Sequence, residues 1–210
     1  MLAQGWITNP QLQAALKSQR ANGSGRIGDW LMAECGLDAE LVTRGLSVQW
    51  SCPVLSVDGF SAREMALVMP SQFVAEFGLV PLRVASQRML YLGCEDRLNA
   101  SVAYAVEQMS ALKVESGLVD SPSICSARNR LLAEESVPVK IETIEDEDTM
   151  VALVTAALEH RQPLAARLVR VHQYYWLRMW LESGTKGLAG TLPRSVEDMQ
   201  DYIFSPGRRI

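Results

Sequence analysis

The segment Gly23 to Leu31, GSGRIGDWL, combines glycines, an arginine and a helix start that could together hold a nucleotide. Its glycines have the GxGxxG spacing of dinucleotide-binding turns. That chemistry requires a strand directly before the glycines, so that the turn delivers the phosphates to a helix N-terminus at a sheet edge. Residues 12–19 have instead the periodicity of a helix, and no acidic residue follows at the end of a second strand. The sequence therefore excludes a Rossmann-type site.

Arg26 offers a different route to nucleotide binding. Its guanidinium can donate two hydrogen bonds to O6 and N7 of a guanine. Gly28 lies in the first turn of a predicted helix over 27–34, where a side chain would block close approach of the backbone to a ligand. The free N–H groups of that helix start suit a phosphate. The alternative is an exposed arginine that pairs with Asp29 or Glu34 for little energy.

The N-terminal region contains a repeat of two short helical segments. Three residues recur 30 positions later in each case: Leu12, Leu16 and Gln19 as Val42, Leu46 and Gln49. Gly5-Trp6-Ile7 is similarly matched by Gly36-Leu37-Asp38, 31 positions later. Such a repeat predicts two helical hairpins in tandem. Its leucines could pack on a base and ribose, and its glutamines could bind a base edge; alternatively, the repeat is purely architectural.

The motif Arg26-Ile27-Gly28-x-x-Leu31-Met32, continued by Gly36-Leu37, Val42, Leu46 and Gln49, resembles a known family. It is similar to the N-terminal domain of type II secretion and type IV pilus assembly ATPases, whose tandem motifs bind cyclic di-GMP in some members. The segment FGLVPLRVASQRMLYLGCEDRLN resembles the strand-turn-strand part of that domain, so the resemblance covers about residues 1–132. A related domain occurs at the C-terminus of membrane glycosyltransferases resembling the phage N4 adsorption protein B.

The resemblance implies a ligand-binding site for cyclic di-GMP. The residues that would form it are Arg26, Gly28, Leu31, Leu37, Leu46, Gln49, Leu12, Leu16 and Gln19. The first copy of the motif begins partway through, because the position matching Arg26 would precede Met1. We therefore expect either a longer native chain or a protein with one intact half-site, and a half-site would bind a cyclic dinucleotide weakly.

Composition excludes several other classes of function. The chain of 210 residues has a net charge of −4, which gives no basis for a DNA or RNA partner. Its four cysteines form no CxxC pair and it has two histidines, so neither a metal site nor a disulfide framework is expected. No constellation pairs a nucleophile with a base. We expect a non-enzymatic regulatory module without a cofactor.

The predicted fold class is α+β. We expect a tandem helical-repeat subdomain over 1–57 and a small α/β subdomain with a three-stranded sheet over 58–133. An acidic linker over 134–150 would lead to a helical C-terminal region over 151–210. No apolar run approaches the roughly 18 residues of a membrane span, so we expect a cytoplasmic location, at most at the inner face of the membrane.

Residues 161–180 form the last candidate for function. Arginines alternate with apolar residues at helical spacing within a predicted helix over 163–182. Such a basic amphipathic helix could contact a membrane surface or a partner's groove, or it could pack its aromatic face on its own domain, with His172 serving packing.

The functional prediction is a cyclic di-GMP-binding module that controls secretion, pilus or exopolysaccharide machinery. Its partner would be an inner-membrane secretion platform or a membrane glycosyltransferase, and the alternative is a docking module that binds no nucleotide.

Overall fold

The computed structural model describes residues 1–85, 88–181 and 195–207. A short 3-10 helix over Leu2–Gln4 comes first. The elements that follow are α1 (Asn9–Asn22), α2 (Ile27–Cys35), α3 (Ala39–Trp50), α4 (Ala62–Met65), α5 (Ser71–Phe77), β1 (Leu79–Ala85), β2 (Met89–Cys94), α6 (Ala100–Ser110), β3 (Lys113–Leu118), α7 (Ser121–Leu132), β4 (Val139–Ile144), α8 (Glu147–Arg161), β5 (Ala165–Val171), β6 (Tyr174–Trp180) and β7 (Met199–Pro206). The predicted α+β class is confirmed.

The two copies of the N-terminal repeat fold alike. Helices α1 and α3 begin 30 positions apart, at Asn9 and Ala39, as the repeat spacing predicts. The glycines that the repeat pairs, Gly5 and Gly36, each follow the end of a helix with φ of 69° and 63°. A residue without Cβ adopts this left-handed conformation without steric cost. The repeat is therefore a helix, a left-handed glycine and a second helix, used twice.

The first sheet is the predicted three-stranded one, with order β1-β2-β3. Strands β1 and β2 are antiparallel, and β2 and β3 are parallel. The parallel pair is connected through α6, which buries Val102 and Val106 together with Leu90 and Leu92 of β2. This crossover places the loop between β2 and α6 at the end of the sheet that faces the N-terminal helices.

The second sheet corrects the predicted C-terminal region. Its strand order is β4-β7-β6-β5, with β4 parallel to β7 and the other pairs antiparallel. The predicted acidic linker over 134–150 contains strand β4 and the start of α8. The predicted helix over 163–182 is wrong, and so is the predicted helical character of residues 195–207, because these stretches contain β5, β6 and β7. Helix α8 is the predicted helical element that the structure retains.

Local chemistry explains why residues 163–182 form a hairpin. Val171 pairs with Tyr174, so His172 and Gln173 make a two-residue loop in which His172 has φ of 55°. The flanking residues are rich in valine, tyrosine and tryptophan, which favour strands over helices. The spacing of leucines and arginines also fits period two. It places Trp176 and Arg178 on one face of β6 and Leu177 and Met179 on the other.

The second sheet packs on both faces. On one face, Val171, Trp176 and Ile203 belong to the same buried cluster as Phe73 and Leu90 of the first half of the chain. On the other face, α8 covers Leu177, Met179 and Phe204 with side chains that include Met150 and Ala157. Residues on both sides of the predicted linker thus share one hydrophobic core.

Arg167 and Arg178, two of the arginines of residues 161–180, bind groups within the fold. Arg178 is 2% exposed and lies in the interior. Arg167 donates to the carbonyls of Gln108 and Met109 at the end of α6, at 3.0 Å each. His172 is exposed in the turn between β5 and β6, edge-on to Phe77 with the ring centroids 6.4 Å apart, so the packing predicted for it is a contact at the surface. The basic amphipathic helix at a membrane surface is therefore a wrong interpretation of this segment.

Within the described ranges, no helix combines the length and the apolar composition that crossing a bilayer requires.

Candidate functional site

A cavity of about 390 Å³ lies between the N-terminal helices and the first sheet. Five of the nine predicted site residues line it: Gln19, Arg26, Gly28, Leu46 and Gln49. Most of the remaining lining residues come from α2, α3, the loop after β2 and the start of α7; among them are Met32, Val42, Trp50, Glu95, Asp96 and Ser121. The repeat therefore supplies one wall of the cavity, and the α/β part of the chain supplies the other.

Arg26 lies directly before α2 and is the basic side chain of the cavity lining. Its guanidinium contacts three carboxylates: Nη2 lies 3.0 Å from Oε2 of Glu95, Nε 3.5 Å from Oδ2 of Asp29, and Nη1 3.9 Å from Oδ2 of Asp96. The hydrogen bond to Glu95 is the main reason why the pKa of Arg26 is raised above its ordinary value. The ion pair with Asp29 is the one expected if Arg26 is a surface arginine rather than a ligand contact. The ion pair with Glu95 is shorter, at 3.0 Å against 3.5 Å.

Among the three carboxylates, Glu95 is the least exposed, and both of its oxygens accept a hydrogen bond. Its side chain is 23% exposed, against 47% for Asp29 and 60% for Asp96. While Oε2 accepts from Arg26, Oε1 accepts from the hydroxyl of Ser121 at 3.1 Å. Glu95 follows strand β2 and Ser121 begins α7, so this side chain is fixed by the α/β part of the chain. Arg26 is thereby tied to a residue 69 positions away, which no local sequence pattern could indicate.

The two glutamines that the repeat relates, Gln19 and Gln49, line the same cavity from α1 and α3. Nε2 of Gln19 donates to the carbonyl of Gly25 at 2.8 Å and so fixes the turn that leads to Arg26. Gln49 is exposed at the cavity wall beside Trp50. One repeat glutamine thus holds the turn before Arg26, and the other presents an exposed amide at the cavity wall.

Gly28 has a second role besides the one predicted for it. A Cβ at this position would lie 2.7 Å from Cγ1 of Val42, closer than two carbons can pack. The missing side chain therefore lets the start of α2 approach α3. Because Gly28 and Val42 also line the cavity, this close contact sets the distance between the two helices that form its wall.

The other four predicted residues lie away from the cavity lining. Leu31 is 2% exposed in a small cluster with Ile7 and Ala15, and Leu12 and Leu37 pack against that cluster. Leu16 is partly buried on α1. These leucines hold the N-terminal helices together and position α2. A ligand contact by these leucines stays a prediction.

Trp50, Met32 and Thr43 line the cavity although the sequence prediction omitted them. Trp50 directly follows Gln49, the last residue of the second motif. This adjacency to a predicted site residue is the sequence feature that could have indicated its place in the cavity. Met32 and Thr43 lie one helical turn from Gly28 and Leu46, respectively, and share their faces.

No group of three or more metal-ligating side chains lies together in the part of the chain that the structure describes. The four cysteines are free thiols. Burial raises the pKa of Cys94 to about 12, so this thiol is protonated at neutral pH. The chemistry of the site therefore rests on the guanidinium, the amides, the carboxylates and the apolar side chains of the cavity.

No family model and no curated protein matches the sequence. Among solved structures, MshE with cdg is similar over 62% of this chain and 94% of its own, with 18% identity and a TM-score of 0.45. The N-terminal domain of XpsE is similar over 61% of this chain and 89% of its own, with 16% identity and a TM-score of 0.37. The glycosyltransferase part of the resemblance stays a prediction.

Proposed function

We propose that this protein is a regulatory module that binds a guanine-bearing cyclic dinucleotide, cyclic di-GMP, in the cavity at Arg26. The observation that carries the proposal is the convergence of Arg26, the start of α2 and both repeat glutamines on one concave surface. A concave surface with apolar walls and a few convergent polar groups is typical of small-molecule sites.

Each group in the cavity has a counterpart on such a ligand. The guanidinium of Arg26 can donate to O6 and N7 of guanine in a two-point contact. The free backbone N–H groups at the start of α2 favour a phosphate oxygen. Met32, Leu46 and Trp50 supply apolar surface for the base and ribose, and the amide of Gln49 can both donate and accept.

The size of the cavity fits one half of a cyclic dinucleotide. Its volume of about 390 Å³ lies toward the lower end of the range for ligand sites, about 300–1,000 Å³. We therefore infer that one guanine and its adjoining phosphate bind in the cavity while the second half of the ligand extends beyond it, which gives weak affinity.

The three carboxylates around Arg26 also limit the affinity. One guanidinium faces Asp29, Glu95 and Asp96, each within 4.0 Å. Their negative charges repel ligand phosphates and compete for the same N–H donors. Added salt screens this repulsion, so we expect affinity to fall less steeply with ionic strength than for a purely basic site.

Calorimetric titration with cyclic di-GMP tests the proposal. The wild-type chain is compared with Arg26→Ala and with Arg20→Ala, a matched control because Arg20 is exposed on α1 outside the cavity lining. Loss of a two-point guanine contact should weaken binding by roughly tenfold to a hundredfold in Arg26→Ala, while Arg20→Ala should bind as the wild type does. Equal heats in all three proteins, or none in any, would overturn the proposal.

We further infer from the sequence resemblance the setting in which the module acts. It would control secretion, pilus or exopolysaccharide machinery, through an inner-membrane secretion platform or a membrane glycosyltransferase. Affinity capture with the immobilised chain, in the presence and absence of cyclic di-GMP, tests this setting. Capture that depends on the ligand supports a regulated module. Capture unaffected by the ligand and by Arg26→Ala would favour the docking module.

A further inference from the structure

The contact between Arg26 and Glu95 occupies the donors that the proposed ligand needs. Nη2 of Arg26 donates to Oε2 of Glu95 at 3.0 Å, and a guanidinium that binds O6 and N7 of guanine must present its N–H groups to the base instead. A carboxylate is a stronger acceptor for guanidinium than a neutral base edge is. Ligand and carboxylate therefore compete for the same atoms.

The position of Glu95 suits such competition. It lies at the cavity wall between two helix starts, α2 on one side and α7 on the other. Its second oxygen is held by the hydroxyl of Ser121, the first residue of α7. Helix N-termini and arginine side chains commonly bind anionic groups in proteins. Here the carboxylate of Glu95 occupies the position that such a group would take.

We propose that Glu95 is a built-in competitor for Arg26, which lowers the affinity of the cavity and links its occupancy to the loop after β2. The inference rests on the proposed function, because it concerns the regulation of that same site. When a ligand binds Arg26, Glu95 loses its partner at the start of α2. The contact between the N-terminal helices and the residues after β2 is then broken.

The consequence extends to a neighbouring cavity. Arg26, Glu95 and Asp96 also line a second cavity of about 330 Å³, bounded by the end of α5, the loop after β2 and the start of α6. The ion pair is thus a wall common to both cavities. Breaking this ion pair would change the surface around Arg97 and Asn99, which line the second cavity. Ligand binding would in this way affect the α/β part of the chain.

Glu95→Gln tests the inference by removing the charge and keeping the size of the side chain. The matched control is Glu34→Gln, which removes an exposed carboxylate from α2 away from the cavity. In calorimetric titration with cyclic di-GMP, we expect Glu95→Gln to bind roughly twofold to fivefold more tightly than the wild type, the range that a partly exposed ion pair supports. The control should match the wild type.

Hydrogen exchange of residues 95–99 provides a second readout. Ligand should speed amide exchange in this loop of the wild type, and it should have little effect in Glu95→Gln, where the contact is already weakened. Unchanged or weaker binding by Glu95→Gln, with normal binding by the wild type, overturns the inference alone; weaker binding would make Glu95 a direct acceptor of ligand N–H groups. No binding by either protein overturns the inference together with the proposed function.

Discussion

Arg178 and Asp201 form a buried two-point ion pair between neighbouring strands β6 and β7. Nε of Arg178 donates to Oδ1 of Asp201 at 2.8 Å, and Nη2 donates to Oδ2 at 2.7 Å. The remaining terminal nitrogen donates to the carbonyls of Leu67 and Val68 at 3.0 and 3.1 Å. One side chain therefore joins the second sheet to the segment after α4, and the arginine-rich sequence around it is internal structure.

Removal of one partner of this pair should be severely destabilising. Asp201→Asn leaves the guanidinium of Arg178 buried without a counter-charge, which costs about 3–5 kcal/mol in the free energy of unfolding. Urea denaturation monitored by tryptophan fluorescence measures the loss. Glu159→Gln, on the exposed face of α8, is the control and should change stability by less than about 0.5 kcal/mol. A similar small change in both variants would contradict the buried pair.

Gly28 should not tolerate a methyl group, although alanine is the better helix former. Its added Cβ would lie 2.7 Å from Cγ1 of Val42, and such overpacking costs about 1–3 kcal/mol. This outweighs the gain in helix propensity of about 1 kcal/mol or less. Thermal unfolding should show a lower midpoint for Gly28→Ala and recovery when Val42→Ala is added. A stabilised single variant would mean that α2 and α3 are further apart.

Replacing His172 by glycine distinguishes a hairpin from a helix at this position, because the change in the free energy of unfolding has opposite signs in the two cases. His172 has φ of 55°, a conformation that costs a non-glycine residue about 1 kcal/mol. His172→Gly should therefore raise the free energy of unfolding by about 0.5–1 kcal/mol. His160→Gly, within α8, should lower it by about 1 kcal/mol. Loss of stability in both variants would favour the helix that the sequence pattern predicted.

Cys94 should be unreactive in the folded protein. It is 3% exposed and its pKa is raised to about 12, so the nucleophilic thiolate is scarce below that pH. The raised pKa also means that Cys94 favours the fold below the ordinary thiol pKa, and that this contribution is lost as pH rises toward 12. Maleimide labelling at pH 7 with mass spectrometry should modify Cys35 and Cys125 first. Early modification of Cys94 would contradict its burial.

Sequence periodicity predicted the N-terminal half well because its signals are local. Thr8 accepts a hydrogen bond from the N–H of Gln11 and starts α1, while Gly23 and Gly36 end α1 and α2. The C-terminal half depends on pairing between distant strands, such as Arg178 with Asp201. Leucines and arginines there fit both a helical and an alternating period, and tertiary packing decided between them.

The candidate site divides in the same way. The sequence placed Arg26, Gly28 and both glutamines together, because they belong to two copies of one local motif. It could not place Glu95 and Ser121, which reach the cavity through the crossover of the first sheet. The leucines of the motif served mainly as the core of the helical hairpins, since their spacing fits burial and ligand contact equally well.

Binding of cyclic di-GMP in the cavity at Arg26 can be tested most directly by a nuclear magnetic resonance titration that follows the tryptophan indole N–H signals. Trp50 lines the cavity, whereas Trp176 is buried in the core shared by both sheets. We expect a saturable shift of the Trp50 signal, absent in Arg26→Ala, with the Trp176 signal unmoved. A Trp50 signal that does not respond to the ligand, or that responds equally without Arg26, would contradict it.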